Sequence, residues 1–213
     1  METAAHPRFL FKPRTFGMIY VTLTSSALLW TGVLKTFRYA TSTNHMETFT
    51  FFWDGPFSQW HPCTFRLDGD RYNCAEQFMM AEKARYFMDD DALAAIMRAD
   101  HPRDQKRIGR EIFGFDESEW QHTESNGQPY CWNIVFRGNV AKFSQNPKLR
   151  KTLLRSAGTT LVEASPLDSI WGIGLAADDS RAHERSTWQG TNWLGEVLTA
   201  VREHLAESDA TVA

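Results

Sequence analysis

Glu76 and Lys83 lie seven residues apart in the run Cys74-Ala75-Glu76-Gln77-Phe78-Met79-Met80-Ala81-Glu82-Lys83, which reads as helix. That spacing is two helical turns, about 10 Å of axis, so both side chains leave one face. Apolar neighbours surround Glu76. A carboxyl in such surroundings is raised toward the range where it gives and takes protons at neutral pH. A lysine among apolar residues is depressed toward the neutral amine that attacks an electron-poor carbon. A proton carrier and an amine nucleophile on one face are parts of a bond-cleaving site. The same two residues would serve as ordinary exposed helix charges, and spacing alone leaves both readings open.

A second group of candidates lies in Asp168-Ser169-Ile170-Trp171-Gly172-Ile173-Gly174. Trp171 offers a face for stacking a ring. Asp168 offers a carboxylate to sugar hydroxyls or to a water, and Gly172 and Gly174 let backbone come close to a ligand. A structural turn with a buried Trp and a capping Asp is the other reading. The run is no phosphate-binding GxGxxG, because no strand-loop-helix context surrounds it. In Gly190-Thr191-Asn192-Trp193-Leu194-Gly195, Asn192 is placed to cap the last helix, and a helix start beside a pocket meets phosphate. Arg110 is a candidate bidentate phosphate clamp, with a plain surface arginine as the alternative. The seven histidines show neither HExxH nor paired spacing, so no metal site is expected.

The elements that must position these residues are short and mixed. Thr48 to Trp53 and Thr64 to Leu67 are β-prone. Asp68-Gly69 marks a tight turn, and Arg71-Tyr72 returns from it. Asn73 caps a helix running to Met88, with Cys74, Phe78, Met79 and Ala81 on its apolar side. Further helices are expected over Asp89–Arg98, from Pro102 to Gly114, over Tyr130–Ser144 (with Ile134, Val135, Val140 and Phe143 as core), from Pro147, and over Asn192–Leu205. Gln121–Gln128 reads as loop, Thr159–Glu163 as strand, and Ser165–Arg185 as a long loop of the kind that carries function. Few strands, mixed with many helices rather than alternating, predict an α+β fold: one mostly helical domain with a small, short-stranded sheet.

Composition narrows the class. Of 213 residues, 42% are hydrophobic, enough for a packed core and too many for a disordered chain. A net charge of -3 argues against sequence-independent coating of DNA, which needs a basic footprint. Cys63, Cys74 and Cys131 are odd in number and form no CxxC, so neither a disulfide framework nor a cysteine-rich zinc site is expected. Reduced thiols suit the cytoplasm. Residues 1–46 read as an extension, 47–207 as the domain and 208–213 as a tail. Phe16 to Leu34 carries no charge and follows Arg8, Lys12 and Arg14, which admits a membrane anchor. Thr22, Thr24, Ser25, Ser26 and Thr31 dilute that stretch, and a dispensable extension before Met46 is the favoured reading.

The ordered set of motifs resembles the NADAR/YbiA-like N-glycosidase family. The set comprises Phe57-Ser58-Gln59-Trp60-His61-Pro62, Asp68-Gly69, the run Tyr72 to Met79, Ala81-Glu82-Lys83-Ala84, Gly109-Arg110, Asp168 to Gly174, and Asn192-x-Leu194-Gly195. Gln77-Phe78 departs from the His-Tyr-like pair that follows the glutamate in many relatives. The resemblance covers about Thr48 to Leu205 and implies catalytic roles for Glu76, Lys83 and Asp168, with substrate held by Trp171, Gly172, Gly174, Arg110 and Asn192. It implies one of two substrates: a phosphoribosylated pyrimidine intermediate of riboflavin synthesis, or ADP-ribose on guanine in DNA or RNA. The chemistry calls for no metal or redox cofactor, and no stable membrane partner is expected. Lys83 would form a Schiff base with the sugar while Glu76 moves protons; direct attack by water guided by Glu76 is the alternative. A non-catalytic ADP-ribose or nucleotide reader using Trp171 and the glycines is the rival from another class.

Overall fold

A computed structural model describes residues 47–212 of the chain. The uncharged stretch Phe16 to Leu34, and with it the anchor reading, lies outside the described residues. Within them, no helix is long and apolar enough to cross a membrane.

The Asp68-Gly69 turn forms as its residue types demand. Its φ values are 53° and 91°, the paired positive angles of a type I′ hairpin. It joins β2 (Phe65–Leu67) to β3 (Asp70–Tyr72) antiparallel, with Leu67 opposite Asp70. The other pairing is long-range. β1 (Phe49–Phe52) runs parallel to β4 (Thr160–Glu163), and Phe52 faces Glu163 at the strand ends.

Between those strands in sequence come six helices: α1 (Ala75–Tyr86), α2 (Asp90–Arg98), α3 (Pro102–Arg110), α4 (Glu117–Trp120), α5 (Tyr130–Gln145) and α6 (Pro147–Arg155). After β4 and a long loop, α7 (Trp193–Val212) packs on β4 and α5. α1 is the central element. α2, α3 and α5 surround it, and Ala75 to Ala81, Lys83 and Ala84 are all buried. A helix hydrophobic on one stripe lies on a surface, whereas one buried on most sides belongs inside. Phe78 meets Tyr72 edge-on at 5.2 Å, and Tyr72 stacks on Phe65 at 5.5 Å. Such pairs add about 0.5–1.5 kcal/mol beyond burial. Truncating Phe78 to alanine would cost about 3–5 kcal/mol.

The start of α1 corrects one expectation. Cys74 rather than Asn73 is the N-cap, its Sγ accepting from the Gln77 amide. Gln77 Oε1 in turn accepts from the Asn73 amide at 2.8 Å, and its Nε2 donates to the Ile96 carbonyl at 3.1 Å. Position 77 is therefore buried scaffold that ties α1 to α2. Asn73 turns its side chain to the carbonyls of Ala99 and Asp100.

Other boundaries move for local reasons. α3 stops at Arg110, before Gly114, which adopts a φ of 70° beyond it. α4 was not foreseen; Asp116 caps it by accepting from the Ser118 and Glu119 amides. Val140 is only partly buried. α7 continues through residues 208–212, the segment expected to be tail. All three cysteines are free.

Candidate active site

α1 carries Glu76 in its first turn. The Glu76 amide donates to the Gln59 carbonyl at 3.0 Å, which fixes the loop bearing Trp60 beside it. The Glu76 side chain is buried, with 5% of the residue exposed. Burial pushes its pKa up to about 7, and Asp168 pushes the same way; Lys106, hydrogen bonding from the Trp60 indole, and Arg110 hold it back. A carboxyl poised there has both protonation states available at neutral pH.

Lys83 is buried on the same helix. Its Nζ donates to the Gly109 carbonyl at 2.8 Å and sits 3.5 Å from the centre of the Phe115 ring. Burial lowers its pKa to about 8, Arg110 reinforces that shift, and Glu117 and Glu76 oppose it. α3 comes close enough to supply that carbonyl because residue 109 has no side chain. A Cβ there would stand 2.0 Å from Met80 Sδ.

α3 contributes two cations four residues apart, hence on one face. Lys106 lies 4.0 Å from Asp168 Oδ2 and 6.0 Å from the Trp60 ring centre. Arg110 is exposed, acts on both Glu76 and Lys83, and has no ion-pair partner within 4.0 Å among the described residues.

The loop after β4 supplies the opposite wall. Asp168 Oδ1 accepts from the amides of Ile170 (3.0 Å) and Trp171 (2.8 Å), while Oδ2 faces Lys106. Oδ1 of Asp168 thus takes the capping role, and Oδ2 is the oxygen turned toward Lys106. Trp171 is half-buried and meets Trp193 edge-on at 5.8 Å.

Three expected ligand contacts turn out to be structural. Asn192 is fully buried with a φ of 56°. Its backbone carbonyl accepts from the Glu196 amide at the start of α7, but its side chain does not cap. Instead Oδ1 accepts from the Glu163 amide at 2.9 Å and Nδ2 donates to the Leu161 carbonyl at 3.0 Å, pinning β4. Gly172 is buried, and a Cβ there would stand 2.9 Å from the carbonyls of Asp168 and Glu163. Gly174 (φ 68°) is pressed against Gln189. What these glycines admit is the protein's own backbone. The first amides of α7 are also engaged, Trp193 with the Ile170 carbonyl at 3.3 Å and Leu194 with that of Trp171 at 3.0 Å, and so do not greet a phosphate.

Three residues with no assigned role join the cluster. Glu163 ends β4, and Oε2 is closed off from solvent with no hydrogen-bond partner among the described residues. Burial raises its pKa to about 7, with Asp168 and Glu76 adding and Lys106 opposing. Its signal in the sequence was a carboxylate closing an apolar strand just before the functional loop. Lys106 was legible as the partner of Arg110 one turn earlier. Trp60 stood in the opening motif without a task. Glu76, Glu163, Asp168, Lys106 and Trp60 come together; Arg110 borders Glu76, and Lys83 lies beyond it along α1.

Acid–base carboxylates beside paired cations and two tryptophans, on an α+β domain, make up a site of the kind hydrolases use. Comparison with known proteins agrees. A family model described as the NADAR domain matches residues 51–206. The chain is 41% identical over 152 residues to the N-glycosidase R617 of Acanthamoeba polyphaga mimivirus, covering 69% of this chain and 85% of that protein. It is 30% identical over 168 residues to the maize chloroplastic riboflavin biosynthesis protein PYRR, covering 72% of this chain and 24% of that protein. It is 28% identical to the N-glycosidase YbiA of Escherichia coli K12, covering 71% of this chain and 82% of YbiA. An NMR structure of E. coli YbiA superposes with a TM-score of 0.61 at 25% identity, covering 78% of this chain and 89% of that one. The chain belongs to the NADAR family.

Proposed function

We propose that this protein is a hydrolase of N-glycosyl bonds whose substrate is a phosphoribosylated aminopyrimidine or ADP-ribose attached to guanine. Both substrates share a ribose with phosphate at one end and, at C1, an exocyclic amino nitrogen carried by an amino-oxo-pyrimidine ring. The observation that carries this reading is the face of α1, with Glu76 poised near neutrality and Lys83 lowered to about 8 two turns away. Names of relatives support the bond type, and the name of the maize relative supports the first substrate.

In the favoured mechanism the sugar ring opens to an imine at C1. The neutral Lys83 amine adds to that carbon and the C1–N bond to the base breaks, its electron pair leaving with a nitrogen that takes up a proton. Lys83 is left as an imine on the sugar, and water hydrolyses it to the free aldehyde and the amine. Glu76 moves protons between the lysine, the departing nitrogen and water. Asp168 meets ribose hydroxyls, Trp171 and Trp60 stack on the ring, and Lys106 and Arg110 face the phosphate. Lys83 would have to leave the Gly109 carbonyl and Phe115 to react. Borohydride added during turnover of either substrate should fix the sugar on Lys83, read as a mass increase on the peptide containing it. Base release with no adduct would transfer the role of nucleophile to a water guided by Glu76.

A further inference from the structure

In the mechanism above, Glu76 alone would have to serve Lys83, the departing nitrogen and water in turn. Lys83 is influenced by Glu117, Arg110 and Glu76, whereas Glu163 is influenced by Asp168, Lys106 and Glu76. Glu76 acts on both Lys83 and Glu163. Asp168 has both oxygens engaged, one accepting two amides and the other facing Lys106.

Glu163 differs in every respect. It stands at the end of the parallel β1–β4 pair, held there by Asn192 through its amide and by the Ile173 amide donating to its carbonyl at 2.9 Å. Its backbone is therefore fixed on a rigid element, while Oε2 is buried without a partner. An unpaired ionised oxygen in that position is unfavourable, whereas a neutral carboxyl with a proton to give is not. The neighbouring carboxylates Asp168 and Glu76 act in the same direction, against the single cation Lys106.

We propose that Glu163 is a second catalytic residue, the acid that protonates the nitrogen of the departing base while Glu76 serves Lys83 and water. In this step the C1–N bond breaks, its electron pair goes to nitrogen, the Glu163 proton follows, and Glu163 becomes a carboxylate. When water adds to the lysine imine, one of its protons restores Glu163, and the proton held by Glu76 and the remaining hydroxyl proton return to the Lys83 nitrogen, so the cycle closes without another reactant. Environments that hold neighbouring carboxyls in different protonation states assign acid and base roles in the same way elsewhere. The assignment rests on the glycosidase reading.

The test uses the full chain and a series of ribose 5-phosphate N-glycosides. The first member is the phosphoribosylated aminopyrimidine, and the others carry aromatic amines made progressively better leaving groups by nitro or halogen substituents. With wild type, release should depend little on the leaving group. Glu163→Gln should lose about 10²–10⁴-fold on the aminopyrimidine but recover to within about tenfold on the best leaving group, while Glu76→Gln should stay slow throughout. Glu163→Asp, which keeps the acid, should fall between wild type and Glu163→Gln, and thermal melts of each variant check folding. Equal dependence on leaving group in wild type and Glu163→Gln, or an unimpaired Glu163→Gln, would overturn the role of Glu163 and leave the glycosidase intact. Silence of wild type toward every member would sink the glycosidase reading and this role with it.

Discussion

Lys83 on α1 and Lys142 on α5 are both buried, and each donates to a backbone carbonyl at 2.8 Å, Gly109 for one and Ser58 for the other. Burial lowers both to a pKa of about 8. Their surroundings differ. Lys142 is fully enclosed, and the titratable groups acting on it are the thiols of Cys63 and Cys74, which burial itself raises, Cys74 to about 11. Among the described residues no carboxylate is seen to act on it. Lys83 feels the charges of Glu117, Arg110 and Glu76, and its cover, Phe115, is itself partly exposed. A depressed lysine pKa is what burial does to any lysine; a proton acceptor and a way in for a ligand are what turn one into a nucleophile.

That contrast can be broken by exchange of either residue. Lys83→Met should abolish turnover, on the order of 10⁴-fold or more as for a removed nucleophile, while Lys142→Met should keep base release within about threefold of wild type. Loss of turnover in Lys142→Met with an unchanged melting temperature would show the wrong lysine was chosen. Glu76→Gln comes next, with about 10²–10⁴-fold slower release and ligand affinity retained; isothermal titration alongside the rate assay separates these effects.

The same two lysines shape stability against pH. Their folded pKa values lie below the unfolded value, so between about pH 8 and 10.5 the unfolded chain binds more protons and stability rises with pH. Removing the fully buried Lys142 should flatten that rise by up to roughly 3 kcal/mol, measured by urea melts of wild type and Lys142→Met at pH 7.5 and 10.5. Identical slopes would mean that Lys142 is not depressed. A smaller effect is expected at the clasp: Asn192→Ala removes two hydrogen bonds to β4, costing about 1–3 kcal/mol, and should lower kcat because Glu163 loses its anchor. A lower kcat at unchanged melting temperature would contradict that coupling.

Much of this arrangement could be read from residue types. The hairpin follows from Asp68-Gly69, and the order of helices from caps and prolines. The placement of Glu76 and Lys83 along one helix follows from their spacing. The spacing could not show burial. α1 has apolar or small residues on most sides, so no stripe announces which face is inward, and only α2, α3 and α5 closing around it turn surface charges into buried ones. Asn192 misled because the types that cap helices also clasp neighbouring strands. Glu163 was missed because its meaning depends on the parallel pairing of β1 and β4, a contact between distant segments that local pattern does not encode.

The most direct measurement, by mass spectrometry, is release of free pyrimidine from the phosphoribosylated aminopyrimidine and of ADP-ribose from a DNA oligomer bearing ADP-ribosyl-guanine, with wild type and Glu76→Gln in parallel. Release from one substrate by wild type, with Glu76→Gln at least 100-fold slower, is the expected result and identifies the substrate. No release from either, with equally tight binding by both proteins, would contradict the hydrolase and leave a nucleotide reader in its place.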